Sequence, residues 1–153
     1  GHPVTFAVTA GGGSVNPAGA ALTDAQGEAG VGSWTLGTTA GTNNNTLTAT
    51  ADGAGLTGNP ASFVASATAD VPAAIGIDAA TNNQLAVTGN NVANPPAVTV
   101  TDQYDNPVPG ATVVFDPSGS GLVGGAGTAN VATNASGRAS TPWTGTARAW
   151  KKL

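Results

Sequence analysis

Chemistry in this chain would have to come from carboxylates, because little else reactive is present. There is no cysteine, which removes thiolate nucleophiles, thiolate zinc sites and disulfide frameworks together. His2 is the single histidine and lies in Gly1-His2, which reads as the remnant of a cleaved tag. A Ser-His-Asp arrangement therefore has no credible base. Asp102 and Asp105 are the closest carboxylate pair in an informative motif, and such pairs can drive glycoside hydrolysis. Three residues apart around a turn, they read more simply as turn formers. Calcium is the minor alternative, since oxygen ligands from Asp, Asn and backbone carbonyls suit it, but no Asp-x-Asp-x-Asp ladder is present. Gly11-Gly12-Gly13-Ser14 lacks the Gly-Lys-Ser/Thr of a phosphate loop, and no helix follows it. An exposed Tyr104 or Trp150 would be able to stack on a sugar, but a single aromatic more often caps a core. The expectation is no catalytic, cofactor-binding or metal-ligating residue, no cofactor and no enzyme.

The totals bound the partners. Four basic residues against eight acidic ones, with a pI near 4.4, argue against nucleic acid, whose binding draws on clustered Lys and Arg. No apolar stretch approaches the roughly 20 residues of a membrane helix, so no membrane insertion is expected. The N-terminus shows neither the basic start nor the apolar run of a signal peptide. With 23 Gly, 10 Pro, 8% charged residues and a net charge of −4, the chain carries too little charge for a disordered segment. A globular protein with a marginal core fits better.

Elements follow from a period of two. Val4, Phe6 and Val8 alternate with Thr5, Ala7 and Thr9, as in a half-buried strand. Similar runs occupy 32–36, 46–51, 61–68, 74–78, 84–88, 97–101, 111–115 and 128–133. Turn formers separate them, among them Asn43-Asn44-Asn45, Gly58-Asn59-Pro60, Asn90-Asn91 and Asp105-Asn106-Pro107. Short strands at this spacing predict an all-β sandwich or barrel with negligible helix.

The chain also repeats itself. Thr23-Asp24-Ala25-Gln26-Gly27-Glu28-Ala29 matches Thr133-Asn134-Ala135-Ser136-Gly137-Arg138-Ala139 at an offset of 110. Trp34 and Trp143 follow at an offset of 109, and Val4-Thr5-Phe6 matches Val113-Val114-Phe115 at the same offset. A period near 110 is one immunoglobulin-sized sandwich, so the chain holds about 1.4 repeats. Gly27 to Trp34 is one residue longer than Gly137 to Trp143, which hints at a bulge. Trp34 and Trp143 are expected between sheets.

Val98-Thr99-Val100-Thr101-Asp102-Gln103-Tyr104-Asp105-Asn106-Pro107-Val108-Pro109-Gly110, leading into a valine-rich strand, resembles the group-one bacterial immunoglobulin-like repeat. So does the 23–29 motif running on to Trp34-Thr35-Leu36-Gly37-Thr38-Thr39-Ala40-Gly41. The resemblance covers most of residues 3–144. It implies an immunoglobulin-like β-sandwich in tandem copies, displayed on a bacterial cell surface by an adhesin of the invasin and intimin type. It carries over no receptor-contacting residue.

Residues 1–70 then form the C-terminal part of a first repeat and 71–144 the N-terminal part of a second. Residues 145–153 read as a non-native tail, since Arg148, Lys151 and Lys152 crowd beside Trp150; a natural basic anchor is the alternative. The first copy lacks its opening strands, and 98–110 is the segment it lacks. Residues 75–110 are therefore expected to complete 1–70, by circular permutation within a chain or by strand exchange in a homodimer. Pro72 favours the extended path and hence the dimer. Two functions remain: a structural spacer in an adhesin, or a module that binds a glycan or a host protein in an adhesin or secreted enzyme.

Overall fold

The computed structural model describes residues 1–53, 55–119 and 121–145. Most of the expected tail, 146–153, and Trp150 with it, lie outside the described residues. Among the described residues the chain is all-β, with several antiparallel sheets and one three-residue 3-10 turn at Ala79–Thr81. It divides into two units, Gly1–Thr68 and Ala69–Leu153.

The first unit holds β1 (Pro3–Ala10), β2 (Gly13–Asn16), β3 (Gly19–Leu22), β4 (Ser33–Leu36), β5 (Gly41–Ala51) and β6 (Ala61–Ala67). A four-stranded sheet runs β3-β1-β5-β6, and β2 pairs with β4. Alternation puts Val4, Phe6 and Val8 on one face of β1, opposite Ala51, Ala49 and Leu47 of β5. Phe6 and Leu47 are buried there. Asn45 is fully buried one step along; its Oδ1 accepts the Gly37 N–H at 3.0 Å and its Nδ2 donates to Asn44 at 2.9 Å. Both halves of that amide are thus satisfied, as burial requires.

The second unit holds β7 (Ala74–Ile77), β8 (Ala97–Thr101), β9 (Thr112–Phe115), β10 (Gly121–Val123), β11 (Ala129–Ala132), β12 (Arg138–Ser140) and β13 (Trp143–Gly145). The sheets run β12-β8-β7, β11-β9 and β10-β13. Val100, Val108, Val113 and Ala139 form the core, with Ala69, Val98, Ala111, Phe115 and Val131 against it. Arg138 reaches Asp78 at 3.3 Å, a half-exposed ion pair contributing under about 1 kcal/mol.

Pairings recur between the units. Pro3↔Leu22 and Val4↔Ala21 correspond to Thr112↔Ala132 and Val113↔Val131. Val15↔Trp34 corresponds to Val123↔Trp143. The strand β8 has no equivalent in the first unit, and with it goes a strand: 138–140 is β12 because β8 holds it, whereas the matching 28–30 is no strand.

Four expectations are corrected. Within the chain, residues 75–110 do not complete 1–70: β8 has β12 on one edge and β7 on the other, both in the second unit. Residues 84–88 form no strand; Leu85 and Val87 are exposed, and Gln84 instead clamps the backbone of Asn94 through both side-chain ends. The extra residue between Gly27 and Trp34 falls before β4 in a non-strand stretch, so it makes no β-bulge there. Nor does Trp143 fill a core: it is 40% exposed.

A threonine closes each of the recurring hairpins. The Thr133 hydroxyl is buried, donates to the Val108 carbonyl at 2.6 Å and accepts the Ala111 N–H at 2.8 Å. In the first unit Thr23 accepts the His2 N–H at 2.8 Å. Thr133→Val keeps the shape and orphans two backbone groups, so it is expected to destabilise the second unit by about 1–3 kcal/mol in urea unfolding. Thr23→Val, only half-buried, is expected to cost less.

Candidate functional site

Three loops share one hydrogen-bond pattern. In 24–28 the Asp24 Oδ1 accepts the N–H groups of Gln26 and Glu28, both at 2.9 Å. Its backbone N–H donates to the Glu28 carbonyl at 2.9 Å, and the Gly27 N–H donates back to the Asp24 carbonyl at 3.2 Å. In 134–138 Asn134 does the same with Ser136, Arg138 and Gly137. In 102–106 Asp102 does it with Tyr104, Asn106 and Asp105. The fourth residue takes positive φ each time: 81° at Gly27, 67° at Gly137 and 63° at Asp105. Glycine has no Cβ to object, and aspartate is among the residues that tolerate this region. Residues 24–27 and 134–137 are therefore turns, and the loop at 102–106 belongs with them although no glycine marks it.

The equal loops sit in unequal surroundings. A methyl on Gly137 would meet the Val100 carbonyl and the Val108 N–H, while one on Gly27 would meet open space. Both substitutions carry left-handed strain of roughly 1 kcal/mol. Gly137→Ala is thus expected to lower the thermal midpoint clearly more than Gly27→Ala.

Asp102 is the outlier among carboxylates, at 2% exposure. Beyond its two loop bonds, Oδ2 accepts the Asp70 N–H at 2.9 Å and the Asn106 Nδ2 at 2.9 Å. A carboxylate offers about four acceptor positions, and all are taken. Asp70 in turn accepts from Gln103 at 3.1 Å and from the Val71 N–H at 2.8 Å, and the Ala73 N–H donates to Thr101 at 2.8 Å. The carboxylate therefore pins the segment where the second unit begins. Tyr104 beside it is 50% exposed.

Burial by itself raises the pKa of Asp102, but the Asn106 side chain and the N–H groups of Asp70, Tyr104 and Asn106 outweigh it, lowering the value from 3.8 to about 2. The charged form is the one the fold prefers. Its stabilisation is whole above the unfolded value and disappears as pH falls toward the folded one. Urea midpoints of the second unit are expected to drop between about pH 4 and pH 2. Asp102→Asn is expected to flatten that slope and to lower the midpoint at neutral pH.

Two grooves lie in the second unit. One, of about 360 Å³, is bordered by Ile77, Pro96, Phe115, Pro117 and Trp143, with Asn82, Asn83 and Gln84 on its rim. The other, of about 470 Å³, runs between Pro72–Ile75 and Ala111–Val114, floored by Val100. Among the described residues, no group of three or more His, Cys, Asp or Glu side chains is placed to hold a metal ion, and no helix is long and apolar enough to cross a membrane. Comparison with family models, with curated proteins and with solved structures finds no match.

Proposed function

We propose that the chain carries parts of two immunoglobulin-like sandwich repeats and serves as a structural spacer in a bacterial cell-surface adhesin, outside the cell. The observation that carries this reading is the recurrence, 109–110 residues apart, of one hairpin register, one threonine closure and one Asx loop. Identical local solutions at that period suit an array of like domains. The junction suits a spacer too. The last strand of the first unit ends at Ala67, and Ala69 already packs on the second core, leaving Thr68 between them. The most buried carboxylate gives one acceptor position to the Asp70 N–H just after that junction, and catalysis has no part in the reading.

A binding module is the second reading, favoured by the groove that exposes Trp143 beside Phe115 and Pro117. An aromatic face of this kind stacks on sugar rings or on apolar side chains. Its rim is less free than it looks, because Gln84 is committed to Thr81 and Asn94.

Small-angle scattering on chains carrying increasing numbers of these repeats is expected to give a maximum dimension that grows in proportion to repeat number. A glycan array and a host-cell-surface binding assay with the present chain are expected to be blank. Binding that Trp143→Ala abolishes would replace the spacer with the second reading.

A further inference from the structure

Two asparagines stand in Asn-x-Ser/Thr triplets with no proline between, Asn44-Asn45-Thr46 and Asn134-Ala135-Ser136. Such triplets are acceptors for sugar on the side-chain amide, and the fold treats the two oppositely. Asn44 is half-buried in β5. Its Nδ2 donates to the Thr39 carbonyl at 2.8 Å, and its Oδ1 accepts the Asn45 Nδ2 at 2.9 Å and the Ala67 N–H at 3.4 Å. That Nδ2 lies against Gly41, where an added Cβ would meet it at 2.8 Å, so the approach to it is closed. Asn134 is exposed, as are Ala135 and Ser136 after it. Its Oδ1 accepts the Ser136 and Arg138 N–H groups at 2.9 and 3.0 Å. Its Nδ2 has no hydrogen-bond partner among the described residues. The matching Asp24, Ala25 and Gln26 are exposed in the first unit, where β5 and β6 are in place. Residues 134–136 are exposed in the second, where β7 and β8 are in place. Neither the opening nor the closing strands of a repeat therefore cover this loop.

We propose that Asn134 is an acceptor site for N-linked glycosylation, taking a hexose from a nucleotide-diphosphate sugar, and that Asn44 is not. In the transfer a bond forms between Nδ2 and the anomeric carbon of the sugar. The bond from that carbon to the diphosphate oxygen breaks, its electron pair leaving with the diphosphate, and one Nδ2 proton passes to a base of the transferase. An amide nitrogen is a poor nucleophile because its lone pair is delocalised onto oxygen. At Asn134 two N–H groups already point at Oδ1, where negative charge develops as Nδ2 gives up its proton. The product keeps the loop, since Oδ1 still accepts both N–H groups and only Nδ2 changes. The two sister loops carry aspartate instead, which makes the same backbone bonds stronger through its charge and has no nitrogen to modify. The inference stands on this loop alone and goes beyond the spacer role, which the scattering and glycan experiments test separately.

The experiment incubates the folded whole chain with UDP-glucose and a soluble transferase that accepts Asn-x-Ser/Thr triplets, then maps the peptides by mass spectrometry. One hexose at Asn134 is expected. Occupancy at Asn44 is expected to be lower by about tenfold or more, because its hydrogen bonds must open first. Asn134→Asp retains the loop bonds that Asp24 makes, so it is expected to fold with an undiminished thermal midpoint and to take no sugar in this loop. Ser136→Ala keeps the backbone donor to Oδ1 but removes the hydroxyl of the triplet, and is expected to lose the sugar without losing the midpoint. The glucosylated chain is expected to melt no lower than the bare one. The proposal is overturned by an Asn134 that stays bare, by Asn44 filling as readily as Asn134, or by Ser136→Ala accepting sugar like the parent.

Discussion

The second unit depends on one buried charge. Asp102 is held by four N–H groups from three residues, and those bonds bind together pieces of chain distant in sequence. The loop after β8 is closed by Oδ1, and the start of the unit at Asp70 is held by Oδ2. Around this point the ladder continues: Val108 donates to the Val100 carbonyl, and Val100 donates to Gly137. Removing the carboxylate would leave buried N–H groups without acceptors, which is costlier than never having buried them. A lysine or arginine partner would require desolvating a second charge. Three backbone amides and the Asn106 side chain satisfy the carboxylate without that cost, in a chain with only four basic residues.

The core around it is built from small side chains. Val100, Val108, Val113 and Ala139 are its buried members, so backbone elements approach closely and glycine becomes obligatory where they touch. Gly137 is such a place, with carbonyl and amide atoms of β8 and the following segment where a side chain would stand. Turn geometry and close packing thus make the same demand on one residue. At Gly27 only the turn makes it.

Much of this was legible in the sequence, and the failures have physical causes. The period-two runs of β1, β5, β6, β7, β8, β9 and β11 stand out because apolar residues recur there between threonine or other small residues, as in Val4-Thr5-Phe6-Ala7-Val8 and Thr46-Leu47-Thr48-Ala49-Thr50. The strands β2, β3, β10, β12 and β13 are three or four residues long and rich in glycine, serine or alanine, so their identity comes from their partners. β12 makes the point: Arg138-Ala139-Ser140 is a strand and Glu28-Ala29-Gly30 is not, though the preceding loops are the same. The over-read run at 84–88 is the converse, an alternating pattern with no ladder to join. Asp102 was recognisable as a turn former, but its burial depends on Asp70, 32 residues earlier, and no local pattern encodes that contact.

The short junction has a mechanical meaning. Only Thr68 separates β6 from a residue already packed in the second core, so tension applied along the backbone has almost no slack to take up. It would reach the second unit at Ala69 and Asp70 and meet the bond from the Asp70 N–H to Asp102 ahead of the β7–β8 ladder. That bond is charge-assisted, and such bonds are about twice as strong as neutral ones.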